Sequence, residues 1–271
     1  MKAMDSDNAP FAEGWLYRKP NCHTLSILED LQVMFSNPNQ FNDPFDCQRN
    51  IIAIYDEVVA IHGADFKALM DPIMELYSRE RSKHSSFVFC LTKEWRNQLM
   101  WAHYAKSHQG IALGFTFEAD SNFRPTELER YDVQYNNEII KESLKELGKL
   151  KKELGHEPSE SLFFPANNSS QYLEKLLGFF DEIKKTKSEE WNYEKEFRYV
   201  LEREKSNDNR IPRGFSPQDL KYVILGNRCL PEFKNDVVRL LRSERMRHVK
   251  IWQVELNHIY SSLELTPVDR W

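Results

Sequence analysis

The sequence predicts an α+β protein, a sheet of short strands with helices around it and one helical insertion. Three observations carry this. Apolar runs too short for helices recur along the chain, SSFVFCLT at 85–92 being the clearest. The segment YEKEFRYVLE at 193–202 alternates residue by residue, the period of a strand. Helical stretches separate these runs irregularly, with neither a βαβ repeat nor an internal repeat.

In chain order, residues 1–14 carry no pattern and read as a flexible N-terminus, so the ordered domain spans 15–258 and a tail follows at 259–271. LYR at 16–18 is a strand entering a turn at Pro20, and TLSILEDL at 24–31 has helical spacing behind a Thr24 N-cap. VMFS at 33–36 is a strand, and NPNQFNDPFD at 37–46 is a turn-rich loop. Residues 50–81 are helical with a break near Gly63 or Pro72, and 85–92 is a buried central strand. A helix over 95–107 ends before Gly110; strands follow at 110–117 and 130–135. Residues 136–187 are mostly helix, including amphipathic 137–155 and a second helix at 171–185, and read as an insertion on the sheet. The strand at 193–202, a strand at 219–226, a helix at 231–245 and a strand at 248–256 complete the domain.

Composition excludes several classes. With 37 basic and 42 acidic residues the net charge is −5, so no global field draws the chain to nucleic acid or anionic lipid. No apolar run reaches the ~18 residues of a transmembrane helix, and the N-terminal residues lack a signal-peptide core. The four cysteines form no CxxC pair, which argues against zinc and a disulfide framework and for the reducing cytoplasm. P-loop, GxGxxG, HExxH and GxSxG signatures are missing.

Three motifs hold the candidate chemistry. In FSNPNQFNDPFD at 35–46, Asn42 and Asp43 either line a cleft or merely turn the chain and cap a helix near Asp46. In WRNQLMWAHYAKSHQG at 95–110, helical spacing sets Asn97, Trp101 and Tyr104 on one face, with Leu99, Met100 and His103 opposite. His103 is there a proton shuttle or ribose contact, or else a structural histidine. In WNYEKEFRYVL at 191–201, a strand directs Glu194, Glu196 and Arg198 to one face. They form either a solvated Glu–Arg pair or a working carboxylate oriented and held ionised by Arg198.

The segments LYRK, FSNPNQFNDPFD, FCLTK, MWAHYAKSHQGIALGF, W-x2-E-x-E-x-R and LKYVILG, in that order over roughly 15–256, resemble the bacterial domain-of-unknown-function family 2971. An early LYRK-like strand, a helix, a strand ending in FSNP and a late KEFRYV strand are also similar to the ADP-ribosyltransferase fold, in particular to the DNA-modifying toxins. That resemblance implies a mixed, mostly antiparallel split sheet whose cleft holds NAD. It implies Glu196 as the catalytic carboxylate bonding the nicotinamide ribose, Glu194 as its ExE partner, and Tyr17 or Arg18 as the first-strand cofactor contact. Ser36 with Asn42 and Asp43 would stand where that fold has Ser-Thr-Ser, and His103, Tyr104 and Arg198 would border the same cofactor. It further implies a nucleic-acid or protein acceptor, and a toxin or phage-defence effector. Two alternatives stay open: a non-catalytic nucleotide or nucleic-acid binding module, and a metal-dependent nuclease using Asp43, Glu194 and Glu196.

Overall fold

The computed structural model describes residues 11–47, 51–117, 121, 123, 128–136, 138–153 and 169–269. Residues 1–10, 154–155 and 270–271, which the sequence reading gave to the N-terminus, the 137–155 helix and the tail, lie outside them, as does residue 137.

Among the described residues ten strands make one sheet, ordered β10-β9-β8-β4-β1-β3-β2-β7, with β6 and β5 added on β3. Their ranges are β1 Gly14–Arg18, β2 Gln32–Ser36, β3 His84–Thr92, β4 Ile111–Phe115, β5 Leu128–Asp132, β6 Glu196–Glu204, β7 Arg210–Gly214, β8 Leu220–Leu225, β9 Lys250–Asn257 and β10 Ser262–Pro267. Every pairing is antiparallel except β8 with β9. Those two are joined through helix α6 (Pro231–Leu241), a single βαβ unit that the mixed element order had hidden. The remaining helices are α1 (Cys22–Asp30), α2 (Ile51–Lys83), α3 (Gln98–Tyr104), α4 (Glu138–Glu153) and α5 (Ser169–Lys185). No helix among the described residues is long and apolar enough to cross a membrane.

The feature that makes room for a site is the pairing of β3. One of its edges is taken from His84 to Thr92 by β6. The other is met by β1 at a single register pair, Trp15↔Thr92, and by β2 at a single pair, Ser36↔Val88. A strand has only two edges, so two strands sharing one of them must splay apart. The sheet therefore opens between β1 and β2, with Phe89 to Leu91 as the floor.

Separate clusters of apolar side chains flank the sheet. One face packs Phe35, Phe87, Phe89, Phe115 and Phe197 beneath α1 and α6. The opposite face packs Trp15, Tyr17 and Ile224 against Met100, Trp101 and Ala105 of α3 and its end. Helices α2, α4 and α5 form their own cluster around Met70, Ile73, Leu144 and Phe179. The helical insertion thus packs outside the sheet, as expected from its polar-rich amphipathic pattern, and α2 completes its core.

Several expectations are corrected. Asn21, not Thr24, caps α1: its side-chain oxygen accepts from the Thr24 amide at 2.9 Å. The break expected in α2 near Gly63 or Pro72 is found at Gly63, with φ 82°, and Pro72 stays inside the helix. The last strand motif begins late, because residues Glu189–Glu194 form a 3₁₀ turn ended by Lys195 at φ 43°. Residues 11–14 are not a loose terminus, since Ala12 is buried and Gly14 opens β1. The segment 259–271 is not a tail: β10 pairs with β9 from Ser262↔Asn257 to Pro267↔Trp252. Strands β7 and β10 carry prolines and charges that weaken their sequence signal.

Candidate functional site

The opening between β1 and β2 is a cavity of about 210 Å³, closed on one side by α3 and on another by residues 187–196. Its lining draws on segments far apart in sequence: Arg18 of β1, Ser36 of β2, Asn42 and Asp43 of the following loop, Tyr104 of α3, and Glu194 and Glu196.

Behind this lining lies a buried ion network. Arg198, on β6, is 0% exposed and lies under the cavity wall. It donates from Nε to Glu196 Oε1 at 2.8 Å and from one terminal nitrogen to Asp46 Oδ1 at 2.8 Å, with Cys47 Sγ also at 2.8 Å. Lys187, 5% exposed, places Nζ 2.6 Å from Glu194, 3.2 Å from Glu196 and 3.2 Å from Asp46. The Trp191 ring lies over that ammonium at 5.0 Å, and the Tyr104 hydroxyl donates to Glu194 Oε1. Three carboxylates against two cations leave the network one negative charge, facing the cavity.

Its electrostatics divide the acids. Burial acts to raise Asp46, but Arg198 and Lys187 outweigh it and hold this carboxyl below the ordinary range. Burial, reinforced by the charge of Glu196, raises Glu194 against the pull of Lys187 and Tyr104. Lys187 is raised because Glu196, Asp46 and Glu194 together overcome its desolvation. Burial lifts the Cys47 thiol to about 12 despite Arg198, so it serves as an uncharged partner. Neighbouring acids driven in opposite directions are the usual preparation for acid–base division of labour.

Elsewhere on the lining, Arg18 has no carboxylate partner among the described residues and donates to the Tyr17 carbonyl at 3.4 Å. Burial, with Arg210 adding repulsion, lowers it to about 10. Asp43 is 4% exposed, accepts from the Phe45 amide at 2.9 Å through Oδ1, and leaves Oδ2 buried without a partner. Arg18 and the unpartnered Oδ2 of Asp43 thus bring unspent hydrogen-bonding capacity to the lining of the cavity.

Of the residues singled out in the sequence, Arg18, Ser36, Asn42, Asp43, Tyr104, Glu194 and Glu196 border this one cavity. Glu194 reaches it from the 3₁₀ turn and not from the strand. Three assignments change. Tyr17 borders the cavity, but its hydroxyl donates to the Trp95 carbonyl at 2.6 Å and its ring meets Trp101 edge-on, so it supports α3. Arg198 is covered by the carboxylates and is a support, not a ligand contact. His103 is exposed beside Tyr193 and does not border the cavity, because the seven-residue helix turns it away from the buried Met100–Trp101 face. Lys187 and Asp46 were missed. Asp46 lies in the turn-rich motif but marked only where a helix was expected to begin; a lone lysine after a helix carries no signal of burial. Of the acids in the nuclease alternative, Glu194 and Glu196 meet Asp46 at Lys187, whereas Asp43 makes no ion pair with it.

The model of a family described as a protein of unknown function, DUF2971, matches residues 100–199. That span holds Tyr104, Lys187, Glu194, Glu196 and Arg198 but neither Arg18 nor Ser36. No curated protein and no solved structure matches the chain.

Proposed function

We propose that the cavity binds the nicotinamide ribose end of NAD and that the protein is an ADP-ribosyltransferase-like enzyme or NAD glycohydrolase with Glu196 as its catalytic carboxylate. The observation that carries the reading is the meeting of Arg18, Ser36, Glu194 and Glu196 in one opening of the sheet. At about 210 Å³ the cavity is smaller than the ~300–1,000 Å³ that engulfs a whole drug-sized ligand, so it would enclose one nucleoside and leave the adenosine end outside.

Cleavage of the nicotinamide–ribose bond sends the bonding pair to the departing, neutral nicotinamide and leaves positive charge on the ribose. A carboxylate beside that ribose stabilises the charge more in the transition state than in the ground state. Water or an acceptor nucleophile then bonds to the ribose carbon and gives up a proton. Glu194, the acid raised by its surroundings, is the group suited to take it. Arg18, on β1, would take a phosphate oxygen.

The test is nicotinamide release from NAD, with and without candidate protein and nucleic-acid acceptors. Glu196→Gln should lower the rate by about 10²–10³. A folded wild-type chain that neither binds NAD nor releases nicotinamide refutes the proposal. A second reading is favoured by one observation: Arg198 and Lys187 engage both oxygens of Glu196. A nucleotide-binding module without chemistry would bind NAD or another nucleotide equally well as wild type and as Glu196→Gln, and turn over neither.

A further inference from the structure

A second cavity, of about 250 Å³, lies beside the β9–β10 hairpin. Gln98, His108, Asn227, Arg228, His258 and Ser261 contribute to its lining, which contains no carboxylate. Arg228 is exposed at its rim, and no side-chain partner is found for it among the described residues. His108 stacks on Trp101, with ring centroids 6.0 Å apart and planes 13° from parallel. Its Nδ1 is shielded from water and has no hydrogen-bond partner.

The backbone around this cavity is held in a form that the sequence would not choose by itself. Lys106, Ser107 and His108 are three consecutive residues with positive φ, at 49°, 53° and 67°. Such conformations persist only where the surroundings enforce them, and they concentrate at functional sites. Here the enforcement is visible. The Arg228 amide donates to the His108 carbonyl at 3.0 Å, and the Gly226 amide to the Gly110 carbonyl at 2.9 Å. Glycine is needed at both positions, since a Cβ on Gly226 would lie 2.1 Å from the His108 carbonyl oxygen and one on Gly110 1.9 Å from that of Arg18. From α3, Gln98 donates to the Ser261 carbonyl at 3.0 Å and ties the hairpin to the same frame.

We propose that this second cavity is a binding site for the phosphate group of a small molecule, with Arg228 as its charged contact and Asn227, Ser261 and Ser262 as neutral donors. A guanidinium without a carboxylate, flanked by uncharged donors on a rigid backbone, matches the charge and the multiple acceptors of a phosphate. The apolar Leu256 and Leu263 on the same lining leave room for an organic substituent. The site is independent of the proposed chemistry, because none of its residues borders the first cavity.

The experiment follows the His108 ring by NMR in the full chain during titration with inorganic phosphate, with acetate at matched ionic strength as the comparison and His108→Asn to assign the signal. Burial first, and the charge of Arg228 second, lower the His108 pKa. An anion that neutralises Arg228 should therefore move its titration midpoint up. The expected result is a saturable phosphate response that Arg228→Gln weakens by about tenfold to a hundredfold, the loss of a charge-assisted contact. Arg228→Lys should keep part of the affinity, and Arg18→Gln, in the first cavity, should leave the response unchanged. A non-saturating response, an equal response to acetate, or one that survives Arg228→Gln overturns the proposal.

Discussion

Replacing Lys187 by methionine tests the buried network most directly. The substitution keeps most of the side-chain volume and removes the one ammonium shared by Asp46, Glu194 and Glu196. The remaining charges would be three carboxylates against Arg198 alone, two net negative charges in a site with little water. Breaking a buried ion cluster from one side typically costs about 3–5 kcal/mol, because the surviving charge has nowhere to go. In a domain of this size that corresponds to a melting midpoint lower by roughly 6–20 °C. The control is Lys195→Met, which breaks an equally short 2.6 Å pair with Glu94 whose side chains are 52% and 44% exposed. An exposed pair contributes about 0–1 kcal/mol, so distance alone would mislead. Urea unfolding at constant slope gives both values. Adding Glu194→Gln to Lys187→Met restores the charge balance and should recover part of the loss. If Lys187→Met costs no more than Lys195→Met, or if the double variant is less stable than Lys187→Met alone, the network is not what organises this wall.

Three further outcomes follow from the same geometry. Asp46 has a depressed folded-state pKa, so its contribution is present above its unfolded value and lost as pH falls through the folded one; Asp46→Asn should therefore be destabilised at neutral pH and show a shallower fall in stability below about pH 4 by acid titration of the unfolding midpoint. Gly110→Ala would set a methyl 1.9 Å from the Arg18 carbonyl oxygen and should lose about 1–3 kcal/mol in denaturant unfolding; an unchanged midpoint would disprove the close approach. Arg18→Ala should weaken NAD binding by calorimetry without changing the unfolding midpoint, since no ion pair among the described residues depends on it; a stability loss comparable to Lys187→Met would mean that Arg18 is structural.

Much of the architecture was legible because burial wrote it into local patterns. The apolar run at 85–92 had to be a central strand, and β3 is paired along one edge for its whole length. The amphipathic 137–155 segment had to pack its apolar stripe somewhere, and its described part, α4, does so on α2 and α5. What local patterns lack is partner identity. β10 and β7 are recognisable only from the strands they pair with, and Tyr193 and Glu194 continue the alternation of the following strand although they end the 3₁₀ turn. At the site, Glu194 and Glu196 stood out by spacing, as did Arg18 and Ser36 by resemblance. Lys187 and Asp46 did not, since an isolated charged residue looks the same in sequence whether water or three opposite charges surround it. His103 failed for the converse reason: a suggestive residue type on a short helix says nothing about which face is covered.

The network also sets an order in time. Arg198 bonds Asp46 across 152 residues of chain. At ribosomal rates of about 5–20 residues per second, roughly 8–30 s separate the synthesis of the two partners. For most of that interval Asp46 and the loop bearing Asn42 and Asp43 have neither Arg198 nor Lys187 to fold against. Chains truncated before β6 should carry every first-strand contact and still lack Glu196 and Arg198, so the proposed NAD site is complete only once residue 198 has been made.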